Sequence, residues 1–266
     1  MKSYKKAIVA WNQLLAFSPL LASTKKSENI FWPGCAASKL SPTIILKTYQ
    51  TLRETMPDIG ISTWCCASPT FSVGSEKAKH RRHVKLTTHI EKCGIKTIYT
   101  LCPNCLRTLS EKTSAQILPA WPLLAQNAQS APRESTHFDD NHNGEWILHD
   151  PCAARTDVSS HNAARAILSA RGVRHAEFTH CGANARCCGR KNMLFLTDPA
   201  ASAKIRASRL EEAGGLPIVT YCESCVEAFR AAGYKAVNML EVLFDEPSQR
   251  GFMNRVKTAH RKELHA

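Results

Sequence analysis

Arg186-Cys187-Cys188-Gly189-Arg190 sets two thiols side by side in the chain. Neighbouring side chains on a strand point to opposite faces, so one apolar core cannot take both. A turn can aim both sulfurs at one centre, and Gly189 permits such a turn because it has no Cβ. Cys152 lies upstream, with 34 residues between it and Cys187, and Cys222-Glu223-Ser224-Cys225 follows 33 residues after Cys188. The same order occurs earlier. Cys35 is followed after 29 residues by Trp64-Cys65-Cys66-Ala67, and 35 residues separate Cys66 from Cys102-Pro103-Asn104-Cys105. Ten of the twelve cysteines fall into this duplicated pattern. A duplicated layout of thiols is the signature of ligands, since packing alone has no use for it.

Two metals compete for such a set. Structural zinc takes four ligands, commonly as two CxxC pairs. Each half here offers one CxxC, one CC and one single cysteine, five thiols in all. Adjacent cysteines fit poorly on one tetrahedral zinc, whereas an iron–sulfur cluster has several irons that neighbouring thiols can reach separately. Five thiols exceed what a cubane needs, so the fifth is free to be labile or to bridge two irons. Iron–sulfur binding leads on ligand number, and a zinc-stabilised scaffold stands behind it.

The elements that position these thiols alternate between β-rich runs and helices. Asn29–Trp32 reads as a strand ending at Pro33-Gly34-Cys35, and Ser41-Pro42 as the N-cap and first position of a helix to about residue 54. A strand over 59–63 delivers Cys65 and Cys66, a charged helix over 75–93 stops at Gly94, and a β run over 95–101 leads into Cys102. Helix 106–112 and an apolar segment over 117–124 follow. The second half repeats this: strand 146–149 before Cys152, helix 159–170, strand 176–179 before the double cysteine, a helix from Asp198-Pro199 to Gly214-Gly215, and strand 217–221 before Cys222. Helix 226–232, a strand or helix over 237–244 and a basic, helical tail complete the chain. Strands alternating with helices predict parallel α/β sheets, whose ligands sit beyond the carboxyl ends of the strands. The fold class expected is α/β, two tandem Rossmann-like domains, each with a small, mostly parallel sheet flanked by helices. Their spans are 29–125 and 145–246. A helical extension covers 1–28, a polar linker 126–144 and a basic tail 247–266.

The chain has 266 residues, 44% of them hydrophobic, enough for a core without disulfide staples. The cysteines sit between long patterned segments and several are too close to bridge, so they read as reduced thiols in a reducing, cytoplasmic setting. The formal net charge of +13 treats them as neutral. Metal-bound thiolates cancel part of it, and the remaining basic patches suit an acidic electron-transfer partner. No basic stripe is interleaved with aromatics, so nucleic acid is not expected as a partner. Residues 1–22 imitate a signal peptide, but Asn12, Gln13 and Pro19 interrupt the apolar run. The spacing of Ala7, Ala10, Trp11, Leu14 and Leu15 predicts an amphipathic helix, and no transmembrane segment is expected.

The order Cys, CC(G), CxxC, duplicated over most of 31–244, resembles the CCG cysteine-rich domain of the disulfide-cleaving subunit of heterodisulfide reductase and of related iron–sulfur proteins. The resemblance implies that Cys35, Cys65, Cys66, Cys102 and Cys105 hold one noncubane [4Fe-4S] cluster. Cys152, Cys187, Cys188, Cys222 and Cys225 would hold a second. It implies an oxidoreductase subunit that reduces or forms a disulfide-type substrate between the two clusters. Electrons would come from a ferredoxin-like iron–sulfur protein, such as the cubane-bearing subunit of the family's complexes, and a flavoprotein, since the chain lacks a ferredoxin run of four closely spaced cysteines. Coenzyme M–coenzyme B heterodisulfide is the best-known family substrate, and other small or protein disulfides are compatible. A relay subunit without a substrate of its own is the alternative. Ala67 departs from the family glycine and is accommodated only if the backbone there does not need a positive φ. His149 and His180 end strands near the second set and are candidate proton donors to a leaving thiolate. Arg186 and Arg190 flank the second pair, where they could offset charge. Cys93 reads as a small apolar residue and Cys181 as a non-ligand.

Overall fold

Helix starts follow from local chemistry. In the computed structural model, which describes residues 3–130, 137–138 and 145–265, Ser41, Ser75, Asp157 and Asp198 each accept a backbone N–H of the helix they precede. These caps satisfy donors that the first turn leaves free. In chain order the elements begin with α1 (Ser3–Ala16), β1 (Thr24–Lys25), β2 (Asn29–Trp32), α2 (Pro42–Thr55), β3 (Gly60–Ser62), α3 (Ser68–Val73) and α4 (Glu76–Lys92). Then come β4 (Thr97–Thr100), α5 (Pro103–Lys112), β5 (Gln116–Pro119), α6 (Trp121–Ser130), β6 (Glu145–His149), α7 (Val158–Ala170) and β7 (Arg174–Glu177). The chain continues with α8 (Leu194–Thr197), α9 (Pro199–Glu212), β8 (Ile218–Thr220), α10 (Glu223–Arg230), β9 (Ala236–Asn238), α11 (Met239–Phe244), α12 (Phe252–Ala259) and α13 (Lys262–His265).

The chain divides into two compact units, Met1–Ala120 with Gln249–Ala266, and Trp121–Ser248. The first holds a sheet in the order β1-β3-β2-β4-β5, parallel except for β1, and the second a parallel sheet in the order β7-β6-β8-β9. Helices flank parallel strands in both, as the alternation of β runs and helices predicts. The repeat maps β2, β3, β4 and β5 onto β6, β7, β8 and β9. In each sheet the chain first builds to one side of β2 or β6 and then crosses to the other side for β4 or β8. The strand order therefore reverses between β2 and β4, and between β6 and β8. That reversal splays the following loops apart and opens a crevice at the carboxyl ends.

Three of the expected segments differ in kind from the sequence reading, and β1, α3 and α8 lie outside it. The apolar run 117–124 is two elements, β5 and then α6, divided at Ala120, whose N–H bonds Thr100 O at 3.0 Å. Trp121 already belongs to the second unit, where its ring stands edge-on to Tyr221 with centroids 6.0 Å apart. The polar stretch 126–144 begins as the end of α6, and 131–136 and 139–144 lie outside the described residues. Segment 237–244 is both alternatives in turn: β9 ends at Asn238, which forms a capping box with Glu241 and starts α11. The basic tail is helical, as expected, and packs within the first unit: α12 lies on α2, and Gly251 N–H bonds Lys39 O at 3.0 Å.

Candidate metal centres

In the first unit, β2 ends three residues before Cys35, β3 ends three before Cys65, and β4 ends two before Cys102. Parallel strands put all three thiol groups at one sheet edge. Cys102 is the N-cap of α5 and Cys105 lies in its first turn, so the partial positive charge of the helix start faces them. The sulfurs of Cys35 and Cys65 are 3.9 Å apart. Cys65 also bonds Cys66, Cys66 bonds Cys105, and Cys105 bonds Cys102. The five thiols thus form one continuous chain of sulfur contacts. Gly34 makes room for it: at φ +85°, a Cβ there would come 3.0 Å from Cys102 Cβ and 3.2 Å from Cys105 Sγ.

The second unit repeats the arrangement. Cys152 follows β6, Cys222 caps α10 and Cys225 sits in its first turn. Contacts run from Cys152 to Cys187, Cys188, Cys225 and Cys222 in turn. Here the double cysteine is carried by a loop ten residues past the end of β7, and polar bonds pin that loop. Asp150 accepts from Gly182 N–H at 2.8 Å and from Arg165 at 2.8 and 3.3 Å, and Arg155 Nε donates to Ala185 O at 2.7 Å. Burial opposes ionisation of Asp150, but the hydrogen bonds from Arg165 and Gly182 outweigh it and hold the carboxyl below its ordinary range.

The double-cysteine turn is built identically in both units. The residue after the pair is left-handed, Ala67 at φ 61° and Gly189 at φ 89°. This conformation swings its N–H back to the first sulfur, Ala67 to Cys65 at 3.4 Å and Gly189 to Cys187 at 3.2 Å. The backbone therefore does require a positive φ, and Ala67 adopts it. Its methyl is buried with Ala16, Phe17 and Cys65, where the end of the N-terminal segment closes over the turn. At Gly189 that space is taken by α9: Ser202 Oγ bonds Gly189 O at 2.8 Å, and a Cβ would lie 2.4 Å from Ser202 O.

Such a thiol set wants a cation. Hydrogen bonds from Cys105 and then Cys65 pull Cys66 down to about 6, against burial. Cys152 and then Cys188 pull Cys187 down to about 2. Sharing with Cys65 and burial push Cys35 well up, and sharing with Cys188 and Cys222 does the same to Cys225. One or two thiolates form easily and then hold the protons of their neighbours. Further ionisation needs positive charge, which metal supplies.

A second observation fits a sulfur-rich group better than a bare ion. Trp32 and His149 occupy equivalent positions, each three residues ahead of its unit's first cysteine, and both are fully buried. Arg209 Nε donates to His149 Nδ1 at 3.2 Å, so Nε2 carries the hydrogen. Neither Trp32 Nε1 nor His149 Nε2 has a protein acceptor among the described residues. Buried donors are rarely left unpaired, and the acceptor missing in both units is what inorganic sulfide beside these thiols would provide.

The two histidines differ. Burial, with Arg209 beside it, drives His149 down to about 3, so the ring is neutral and has no imidazolium proton to hand on. His180 is partly exposed and its Nδ1 lies 3.3 Å from Glu212. Arg190 pairs with Glu227 and lies over Phe195, and Arg186 is exposed. Cys93 packs at the edge of the first unit's core. Cys181 lies with Asp150 and Glu177, ligand atoms within 4.8 Å of one another, but Arg165 already bridges the two carboxylates. Sequence reasoning missed Arg209, fully buried between His149, Glu212 and His180 O. It also missed Gln13, buried and 3.7 Å from Cys65 Sγ. A buried arginine carries no motif, and Gln13 reads only as an interruption of an apolar run.

Paired α/β units with converging thiols at the carboxyl ends of parallel strands define a thiolate metal-binding class. The cysteine-rich domain family, CCG, matches residues 30–110 and 146–230, more than half of the chain. The chain belongs to this family, and the match with this cysteine content marks iron–sulfur or metal binding of the kind found in redox proteins. No curated protein matches the chain. Among solved structures it is similar to an aspartate racemase homologue from Pyrococcus horikoshii OT3, at 10% identity and TM-score 0.30, covering 81% of this chain and 95% of that one. It is similar to Picrophilus torridus aspartate racemase at 10% identity and TM-score 0.30, covering 87% and 100%. At that score neither bears on function. Among the described residues no helix is long and apolar enough to cross a membrane.

Proposed function

We propose that the chain is an iron–sulfur oxidoreductase subunit resembling the disulfide-cleaving subunit of heterodisulfide reductase. Cys35, Cys65, Cys66, Cys102 and Cys105 would hold one [4Fe-4S] cluster of the noncubane type. Cys152, Cys187, Cys188, Cys222 and Cys225 would hold the other. When bound, the clusters would supply single electrons, drawn from a partner protein, for breaking a disulfide-type bond, or accept them when such a bond is made. The chain's own groups do the rest. The first turns of α5 and α10 present N–H groups to anionic sulfur. Trp32 and His149 offer a hydrogen bond each, and the left-handed residue after each pair fixes the direction of two thiols. The observation that carries this reading is the repetition of five converging thiols with an orphaned buried donor beside them.

The test is anaerobic preparation or reconstitution, with iron and acid-labile sulfide measured per chain. About four of each per cysteine set is expected, with Cys66→Ser and Cys188→Ser each removing one EPR species. Zinc without sulfide ends the proposal. Loaded protein is then reduced and mixed with small heterodisulfides. Thiol release supports catalysis, and intact clusters without turnover would make the chain a relay.

A further inference from the structure

The outward face of α1 inverts the usual pattern of a surface helix. Tyr4, Ile8, Trp11 and Leu14 follow helical spacing and are 58%, 47%, 63% and 57% exposed. The amide of Gln13 instead is buried, 4% exposed, bonded to Thr70 and to Cys65 Sγ. The inner face, with Val9 and Ala16, packs on α3. Scattered surface apolar residues are ordinary, but a stripe of aromatic and aliphatic side chains in register marks an interaction face. The family match begins at residue 30, so α1 lies outside it.

Basic charge meets the C-terminal end of α1. Arg82 of α4 lies over the ring of Phe17, one residue past α1, at 4.4 Å, and Lys85 Nζ donates to Phe17 O at 3.3 Å. Lys77, Arg81 and Lys85 are exposed at four-residue intervals on α4, which puts them on one face. The acid nearest them on that helix, Glu76, is paired with Lys79. An apolar stripe with aromatic anchors and cationic charge at one end complements a protein with an apolar spot beside acidic groups.

We infer that α1 and the adjoining face of α4 form the docking surface for a small acidic one-electron carrier protein, which delivers electrons to the first cysteine set. The inference rests on the iron–sulfur reading above. Its geometric basis is Gln13: the helix whose outer face is the dock touches Cys65 with its inner face. A partner on the stripe stands about one helix diameter, ~10–12 Å, from the thiols. Each encounter moves one electron, oxidising the reduced carrier and reducing the cysteine-bound centre, with no bond made or broken. A lipid surface also accepts an aromatic and basic helix, but has no use for contact with a redox thiol.

The test uses loaded full-length protein with a reduced plant-type [2Fe-2S] ferredoxin and a flavodoxin as acidic probes, and vesicles of phosphatidylcholine with phosphatidylglycerol. Binding of an acidic probe should protect α1 and residues 77–85 from hydrogen exchange. Trp11→Ser with Ile8→Ser, both exposed positions, should weaken it about tenfold or more. Lys77→Glu with Arg81→Glu should slow association and flatten its dependence on salt. Iron content and reduction by dithionite should not change in any variant. Loss of iron would implicate the cluster reading instead. Neither probe binding, protection confined to other segments, or vesicle binding that needs Trp11 while the probes bind normally to the variants would each overturn the docking surface.

Discussion

Exchanging the residues that follow the two double cysteines tests the turn geometry directly. Gly189→Ala places a Cβ at φ 89° and 2.4 Å from Ser202 O. The left-handed conformation costs an L-residue about 1–2 kcal/mol. Moving the backbone of α9 or the loop to relieve the collision costs about 1–3 kcal/mol more. The alanine lowers unfolded-state entropy, which returns about 0.4–1 kcal/mol. The balance is a loss of roughly 2–4 kcal/mol, on the order of 10 °C in Tm for a domain of this size. Ala67→Gly behaves differently. It relieves about 1–2 kcal/mol of left-handed strain, loses a buried methyl worth about 0.8 kcal/mol, and adds about 0.4–1 kcal/mol of unfolded-state entropy. These cancel to within about 1 kcal/mol. Scanning calorimetry on reduced apo-protein gives the stabilities, and iron per chain after reconstitution gives the site. The reasoning fails if Gly189→Ala stays within about 2 °C of the parent and loads fully, or if Ala67→Gly is the more damaging change.

Arg209→Met leaves Glu212, His180 O and His149 Nδ1 without their buried partner, and chemical denaturation should show a loss of about 3–5 kcal/mol. His149 has its folded pKa lowered to about 3, so its contribution is fully present above the unfolded value near 6.5 and is lost as pH falls toward about 3. At pH 5 the loss is about 2 kcal/mol, and His149→Phe should remove that part of the pH slope measured by urea titration. Trp32→Phe and His149→Phe each delete one orphaned donor. Each should lower the midpoint potential of one EPR species and leave the other in place, whereas an unshifted pair of potentials would mean the donors face elsewhere. Proton-holding thiols such as Cys35 and Cys225 must release their protons on loading, so reconstitution should weaken as pH falls from 8 to 6, read as iron retained against a chelator.

The convergence of the thiols was legible because the cysteines' places after β runs are written in residue type and spacing. Cys35, Cys102, Cys152 and Cys222 each follow an apolar β run, so a parallel sheet in each unit was enough to collect that unit's thiols at its own carboxyl edge. What escaped the sequence depends on tertiary distance. Ala67 alone cannot say whether φ is positive; that emerges from the N–H returned to Cys65. The boundary at Ala120 is set by Trp121 packing on Tyr221, a long-range contact with no local signal. The short strand β1 and helix α3 fall below the length at which periodicity is informative. Gln13 and Arg209 look like ordinary polar residues of amphipathic helices, and only burial reveals their partners.

The last helices return to the first unit, so its chain is interrupted by the whole of Trp121–Ser248. The strands and all five cysteines of the first unit are thus made before Trp121, yet the unit is completed only when α12 and α13 are added, so its folding waits for the second unit to be synthesised. The first thiol set is thereby tied to the far end of the described chain, since α12 packs on the turn 37–39 that follows Cys35.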